Sequence, residues 1–384
     1  MERARIEKLA PGGQGLATLE NGKKAFIWNA LPGELVEFKL GRSKATWCEG
    51  VAEQILEASA KRVAPRDECY LATSPWQVFD YDYELEQKAR LVEECFLQQK
   101  IEVACATALT DGQEFNYRNK MEYSLYWDNE IGVIKLAFHA RGSHQKMPIS
   151  GSSLERVEIL DRAEVLVAEL NARGEQARDY QALLARCDQS GNVSAALFEK
   201  RKPHPKMTLL QDTLLGYSYS YSPNGFFQIN LPVYEMVLAQ IKKQIATKRV
   251  LDLYAGVGTI GLSVARDHEL TLVEVDKSAY AELEKNAAGT GAQTILEKSE
   301  NILNYIMDDI TVILDPPRAG CDAKLIARLN EQKVPMIIYL SCNPITQARD
   351  VAGLLENYKI VRIQPYNFFP RTTHIENLVV LAGR

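Results

Sequence analysis

The sequence has no C-x-x-C pair. Its seven cysteines (Cys48, Cys69, Cys95, Cys105, Cys187, Cys321 and Cys342) are scattered through 384 residues. That scatter argues against a disulfide framework or a zinc knuckle and fits a reducing compartment. No apolar stretch reaches the ~18 residues that a membrane span needs. The first ten residues, MERARIEKLA, are charged and lack the apolar core of a secretion signal. A cytoplasmic location, with no membrane partner, is the expectation. Positive charge is not in excess either: the formal net charge is −5 and the pI is near 5.8. A domain that grips nucleic acid over its whole surface usually has a pI above ~9. Any such contact must therefore follow a local stripe. Candidate stripes are Arg118-Asn119-Lys120, the HARGSHQK stretch (139–146) and Lys200 to Lys206, each of which taken alone reads as a solvated face. Internal repeats and low-complexity segments are absent.

The length and the 46% hydrophobic content allow two or three domains with real cores. Residues 1–62 are punctuated by glycines, with short alternating runs between them, such as Ala25 to Trp28 and Glu34 to Phe38. This pattern predicts a small β-barrel of the oligonucleotide-binding (OB) type. Residues 81–100 predict a helix with Leu85, Ala89, Val92 and Phe96 on one face. From there to about 216 the chain alternates strand-like pieces with one helix near 159–173, an α+β central domain. From 217 to 384, β and α patterns alternate: strands at Arg249–Leu253, Leu270–Val275, Thr311–Leu314, Met336–Leu340 and Leu378–Leu381, with helices between. This predicts an α/β, Rossmann-like, doubly wound parallel sheet.

Five stretches carry chemistry. Val250 to Gly261 (VLDLYAGVGTIG) joins a strand to a helix through a glycine turn. Glu274 ends the next strand, where a carboxylate can accept both hydroxyls of a ribose. Together they predict a nucleoside-containing cofactor, either NAD or S-adenosylmethionine. Asp315 ends the strand before Pro316-Pro317-Arg318, a stiff turn that NAD dehydrogenases do not need. Cys342 lies between a strand and the helix opened by Asn343-Pro344, where a helix N-terminus lowers thiol pKa values. Glu376 follows Phe368 to Ile375 in an apolar and aromatic setting suited to proton abstraction, with His374 as a rival base. Gln228, in Ser222 to Asn230 (SPNGFFQIN), either reaches the amino-acid end of a cofactor or caps a helix.

In this order, SPNGFFQIN, DLYAGVGTIG, DPPR, SCNP and TTHIEN resemble the RNA 5-methyluridine (uracil-C5) methyltransferases, S-adenosylmethionine enzymes, over essentially the whole chain. The resemblance implies a TRAM-type barrel at 1–62, a central RNA-binding domain at 63–216 and a methyltransferase domain at 217–384. It implies Cys342 as nucleophile and Glu376 as base. It also implies Gln228, Tyr254, Glu274 and Asp315 as cofactor contacts, with Thr259 and Asn301 lining the same pocket. The cofactor would be S-adenosyl-L-methionine, released as S-adenosyl-L-homocysteine. The partner would be an RNA, ribosomal (23S) before transfer RNA, and the protein a monomer. Many members carry a tight run of cluster-binding cysteines after the barrel. Here Arg66 to Trp76 holds Cys69 alone, so no iron–sulfur cluster is expected. Competing readings are a cytosine-C5 enzyme, disfavoured because those use a second cysteine where this chain has its Pro-Pro turn, and a non-catalytic RNA-binding factor that keeps the fold.

Overall fold

The computed structural model describes all 384 residues. The chain opens with β1 (Glu2–Arg5), β2 (Lys8–Leu9), β3 (Gly15–Thr18), β4 (Lys24–Trp28), β5 (Leu35–Ser43) and β6 (Trp47–Glu57). They form one sheet in the order β1-β5-β6-β4-β3-β2. β1 and β2 are two halves of one chain segment, the first paired with β5 and the second with β3. The sheet therefore closes on itself, which removes its free edges. The parallel pairing of β4 with β6 gives the crossing pattern of an OB-type barrel. Its own core is small, built around Ile27, Val36 and Phe38. Leu9 and Leu31 pack instead into the core shared with the catalytic sheet, so the barrel leans on its neighbour.

After the barrel come a short turn of helix, α1 (Tyr70–Thr73), and the long helix α2 (Tyr81–Gln98), capped by the Asp80 side chain accepting from the Tyr83 amide. Leu85, Ala89, Val92 and Phe96 are buried as their spacing requires. β7 (Lys120–Asp128), β8 (Val133–His139) and β9 (Lys146–Pro148) follow, then α3 (Val157–Ala172), β10 (Tyr180–Cys187) and β11 (Val193–Glu199). These five strands make an antiparallel sheet, β11-β10-β7-β8-β9, with α3 packed on it. A hairpin, β12 (Leu210–Leu214) and β13 (Tyr217–Tyr221), leads into the last unit.

That unit comprises α4 (Leu231–Lys242), β14 (Arg249–Leu253), α5 (Thr259–Val264), β15 (Glu269–Glu274), α6 (Lys277–Ala287), β16 (Gln293–Leu296), β17 (Ile310–Leu314), α7 (Ala323–Gln332), β18 (Met336–Ser341), α8 (Pro344–Ala352), β19 (Tyr358–Tyr366) and β20 (Glu376–Gly383). Its seven-stranded sheet runs β16-β15-β14-β17-β18-β20-β19. β14, β17 and β18 carry near-continuous apolar runs because helices cover both faces. The chain winds one way from β14 and the other way through β17, which puts a crevice at their carboxyl ends.

The sheet differs from the expected all-parallel one. β20 runs antiparallel to both β18 and β19, and neither β16 nor β19 was anticipated. As a sheet edge, β19 has one face outside the core, and its sequence (YKIVRIQPY) lacks a continuous apolar run. No helix is long and apolar enough to cross a membrane.

Candidate active site

The cofactor side is built around the glycine turn after β14. Tyr254 has φ 66° and Gly256 φ 57°, both in the left-handed region. A Cβ on Gly256 would meet nothing within 4 Å, so the turn faces open space. Gly261 is different: its Cβ would lie 2.8 Å from Asp252 Oδ2, because helix α5 packs tightly on β14. Glu274, at the end of β15, accepts from the Gly256 amide at 2.7 Å and from the Val275 and Asp276 amides at 2.8 and 2.6 Å. These bonds aim its carboxylate at the mouth of the turn and leave lone pairs for ribose hydroxyls. Burial raises the Tyr254 phenol above its ordinary range. Thr259 accepts or donates at 2.8 Å with the Tyr234 hydroxyl, at the start of α5. Asn301 is exposed and donates to Glu297 Oε1 at 3.0 Å.

Gln228 is 7% exposed, and the central sheet holds its backbone. Asn119 Nδ2 donates to the Gln228 carbonyl at 3.3 Å and Arg186 Nη2 at 3.1 Å. Arg186 is fully buried, with its guanidinium 4.7 Å from the Tyr221 ring, which itself stacks on Phe227. This cation–aromatic stack is a site feature the sequence reading missed. Asp252 was missed too. It is fully buried within β14, and the Gly261 amide donates to its Oδ2 at 2.8 Å, while Oδ1 has no partner. Burial pushes its pKa up to about 8, with the Asp315 and Glu274 charges adding to the rise. A carboxylate inside an apolar strand was the available signal.

The second half of the site lies beyond the switch point. Asp315 follows β17, and desolvation pushes its pKa up to about 7. Its Pro-Pro turn is tied to the start of α8, where Asn343 Nδ2 donates to the Arg318 carbonyl at 2.8 Å. Cys342 sits between β18 and α8, half-buried. Glu376 opens β20 and is 5% exposed. Because β20 is antiparallel, its first residue stands at the same sheet edge as the last residues of β18; Ser341 pairs with Asn377. Gln347 of α8 donates to the Tyr339 and Asn377 carbonyls and accepts from Asn377 Nδ2 at 2.7 Å, so one buried amide locks both strands together.

Charge reports the same proximity. Burial raises Glu376 well above the ordinary carboxylate range; Asp315 adds to the rise and Arg318 opposes it. The Cys342 thiol is pushed up to about 11, by burial first and then by Glu376 and Asp315. That corrects the expectation of a thiol activated by the helix. Cys342 precedes the N-cap, outside the first turn, and Asn343 Oδ1 takes the free Ile345 amide. Dipole effects fade within the first turn, so desolvation and two carboxylates win. His374 contacts the Phe369 ring at 5.4 Å and reaches the surface, yet its pKa is pushed down to about 4 by desolvation and by Lys88, Arg318, Arg118 and Arg141. A base that weak at neutral pH is a poor rival to Glu376.

Two further elements shape the site. A buried ion pair lies behind the loop 367–375: Lys88 and Glu84 of α2, both without exposure, 3.1 Å apart. Lys88 Nζ donates to Asn367 Oδ1 at 2.6 Å and to the Phe369 carbonyl at 3.0 Å. Glu84 accepts from Asn367 Nδ2 and from the Arg371 amide. The barrel supplies the other element. A cavity of about 190 Å³ beside Cys342 is lined by Arg318, Thr373 and His374, and also by Pro11 and Gly12 from the β2–β3 turn. Trp76 Nε1 donates to the Gly13 carbonyl at 2.9 Å. Gly13 has φ 88°, and a Cβ there would come within 2.2 Å of Thr373 Cγ2. Gly13→Val is therefore expected to displace the barrel turn. Turnover should fall about tenfold or more, with cofactor affinity by calorimetry unchanged.

No group of three or more His, Cys, Asp or Glu side chains is placed to hold a metal ion. Cys69, just before α1, and Cys95, in α2, are both buried, with their thiols pushed up to about 11 by burial.

A family model described as tRNA (Uracil-5-)-methyltransferase matches residues 297–384, and one described as methyltransferase small domain matches 234–329. An uncharacterized RNA methyltransferase of Enterococcus faecalis is 27% identical, over 98% of this chain and 96% of its own length. The 23S rRNA (uracil(1939)-C(5))-methyltransferase RlmD of Halomonas elongata is 27% identical, over 98% of this chain and 88% of its own. Among solved structures, the Pyrococcus abyssi tRNA (uracil-54, C5)-methyltransferase in complex with S-adenosyl-L-homocysteine aligns over 99% of this chain and 100% of that one. Its TM-score is 0.78 at 22% identity. With the glycine turn, the Asp315 turn and the Cys342–Glu376 edge in place, these likenesses support the RNA 5-methyluridine (uracil-C5) methyltransferase family, which uses S-adenosylmethionine.

Proposed function

We propose that the chain methylates C5 of a uridine in RNA, 23S ribosomal RNA in the first instance, through a covalent bond between Cys342 and C6 of the base. One observation carries this reading: Cys342, Asp315 and Glu376 share one sheet edge and feel one another's charge. The open turn at Gly256, the Glu274 carboxylate and the unpartnered Asp252 oxygen fit a nucleoside cofactor. Gln228, Tyr254, Glu274 and Asp315 would hold it. When bound, S-adenosylmethionine supplies an electrophilic methyl group.

C5 of uracil is a poor nucleophile. Addition of the Cys342 sulfur to C6 moves an electron pair into an enolate, and C5 becomes able to attack. After transfer, C5 carries a methyl and a proton. Glu376 takes that proton, the C6–S bond breaks and the thiolate leaves. A raised carboxyl pKa makes Glu376 a stronger base, and Arg318 favours its ionised form. The target base must be flipped from any stack to reach Cys342. Burial of Phe227 and Phe368 assigns them to the core, whereas Phe226 is 74% exposed and free to stack on a base.

The thiol is protonated at neutral pH, and its thiolate fraction rises until the pH passes about 11. The rate of adduct formation should therefore rise about tenfold per pH unit from roughly pH 7 to pH 9. A flat profile would mean that the thiol loses its proton to a neighbour within the site.

The barrel and the RlmD relative support a ribosomal target. The fold shared with the Pyrococcus tRNA enzyme keeps transfer RNA as the second reading. Mass spectrometry of RNA from a strain lacking the gene decides between them: loss of a methyl from a 23S uridine supports the first, and loss from tRNA alone overturns it. Methylation of a uridine-only transcript excludes the cytosine reading. We assign 1–62 as a TRAM-like module, 63–216 as the RNA-binding domain and 217–384 as the methyltransferase domain. The protein would act as a cytoplasmic monomer, in keeping with its free cysteines.

A further inference from the structure

A polar cavity of about 250 Å³ lies apart from the Cys342 cavity, where the loop before β7, the start of α3 and the start of α4 meet. Exposed Gln113, Asn116 and Gln189 form its rim, and buried Asn119 and Asn230 line its floor. Its lining is dominated by carboxamides and contains no carboxylate. The one cation, Arg156, is already paired with Glu158 and donates to the Asp188 carbonyl at 2.8 Å.

The floor amides have unmet hydrogen-bonding capacity. Asn230 is 1% exposed, and neither its Oδ1 nor its Nδ2 has a partner. Asn119 is 4% exposed, and its Oδ1 has none. Buried polar atoms are rarely left so. Asn230 precedes α4 at the N-cap position, where a structural asparagine would accept a helix amide, yet it caps nothing.

A phosphate would need an uncommitted cation, which this cavity lacks. The edge of a nucleobase offers donors and acceptors side by side, and carboxamides match that pattern, adenine best of all. We propose that this cavity takes a second, non-target base of the RNA substrate, an adenine turned out of the stack. The inference rests on the RNA-methylation reading above. Asn119 Nδ2 donates to the Gln228 carbonyl, and the Tyr117 hydroxyl donates to the Pro370 carbonyl at 3.0 Å. The cavity thus shares walls with the cofactor loop and with the loop that leads to Glu376. A base held there sets which uridine along the strand reaches Cys342. The enzyme then reads sequence context through this cavity.

The test uses the full chain, S-adenosylmethionine and short synthetic RNAs in which one 5-fluorouridine sits among adenosines. A single abasic nucleotide is moved through the flanking positions. Adduct formation on denaturing gels and RNA affinity by fluorescence anisotropy are both read. One flanking position should weaken capture about tenfold or more when abasic, and the others far less. Gln189→Trp, which fills the rim from an exposed position, and Asn230→Asp, which keeps shape but removes a donor, should both show that loss with intact RNA. The abasic position should then add nothing further, while calorimetry shows unchanged cofactor affinity. A uniform penalty at all positions, or a positional penalty undiminished in both variants, overturns the second-base site and leaves methylation standing. No adduct with any of the RNAs overturns both.

Discussion

Cys342→Ala should lower methyl transfer to RNA by on the order of 10⁴- to 10⁶-fold, because it removes the step that makes C5 nucleophilic. Cofactor affinity should change little, since the proposed role of the sulfur is to bond the base and not the cofactor. The covalent complex with 5-fluorouridine RNA should vanish with it. Glu376→Gln separates the two halves of the chemistry. Addition and methyl transfer can proceed, but the C5 proton stays, so a protein–RNA adduct with ordinary uridine should build up and run as a shifted band on a denaturing gel. Turnover by Cys342→Ala within about tenfold of the unaltered protein would end the covalent reading. Loss of the adduct in Glu376→Gln would assign the carboxylate to an earlier step.

Lys88→Met should cost about 3 kcal/mol of folding stability, the low end for breaking a buried pair, because it removes the nearer cation from the buried Glu84 carboxylate and leaves only Arg371 Nη1 at 3.7 Å. Burial already pulls the Lys88 pKa down, with Glu84 opposing the fall. Replacing both residues with apolar ones of similar volume should recover most of that stability. Activity should not return with it, since Lys88 and Glu84 also hold Asn367, Phe369 and Arg371 in the loop that delivers Glu376. Urea denaturation beside a turnover assay separates these effects. A double variant that is both stable and fully active would show that the pair serves folding alone.

The methyltransferase strands were legible because each is a short apolar run with a turn signal after it, and β14 falls on Arg249–Leu253 as read. Tyr254, Glu274, Asp315 and Cys342 stand out in the sequence for a related reason: each lies at or just past the carboxyl end of such a run, where polarity is conspicuous. Strand direction was not legible. Nothing local in Glu376–Gly383 distinguishes a strand running with its neighbour from one running against it. Glu84 and Lys88, four residues apart on α2, carry no local sign of burial. They are buried by a loop nearly three hundred positions away along the chain, with Lys88 bonding Asn367 at a separation of 279 residues. The thiol pKa went astray for the same kind of reason. The helix beside Cys342 is written next to it, whereas the two carboxylates that outweigh the helix come from β17 and β20.

The rung that joins Ser341 to Asn377 has a consequence for how this enzyme can vary in evolution. Insertions in the connections around the sheet leave Cys342 and Glu376 where they are, because the ladder between β18 and β20 sets their spacing. A single residue gained or lost inside either strand would turn every following side chain to the opposite face. Lineages of this enzyme should therefore tolerate length changes almost anywhere except within those two short strands.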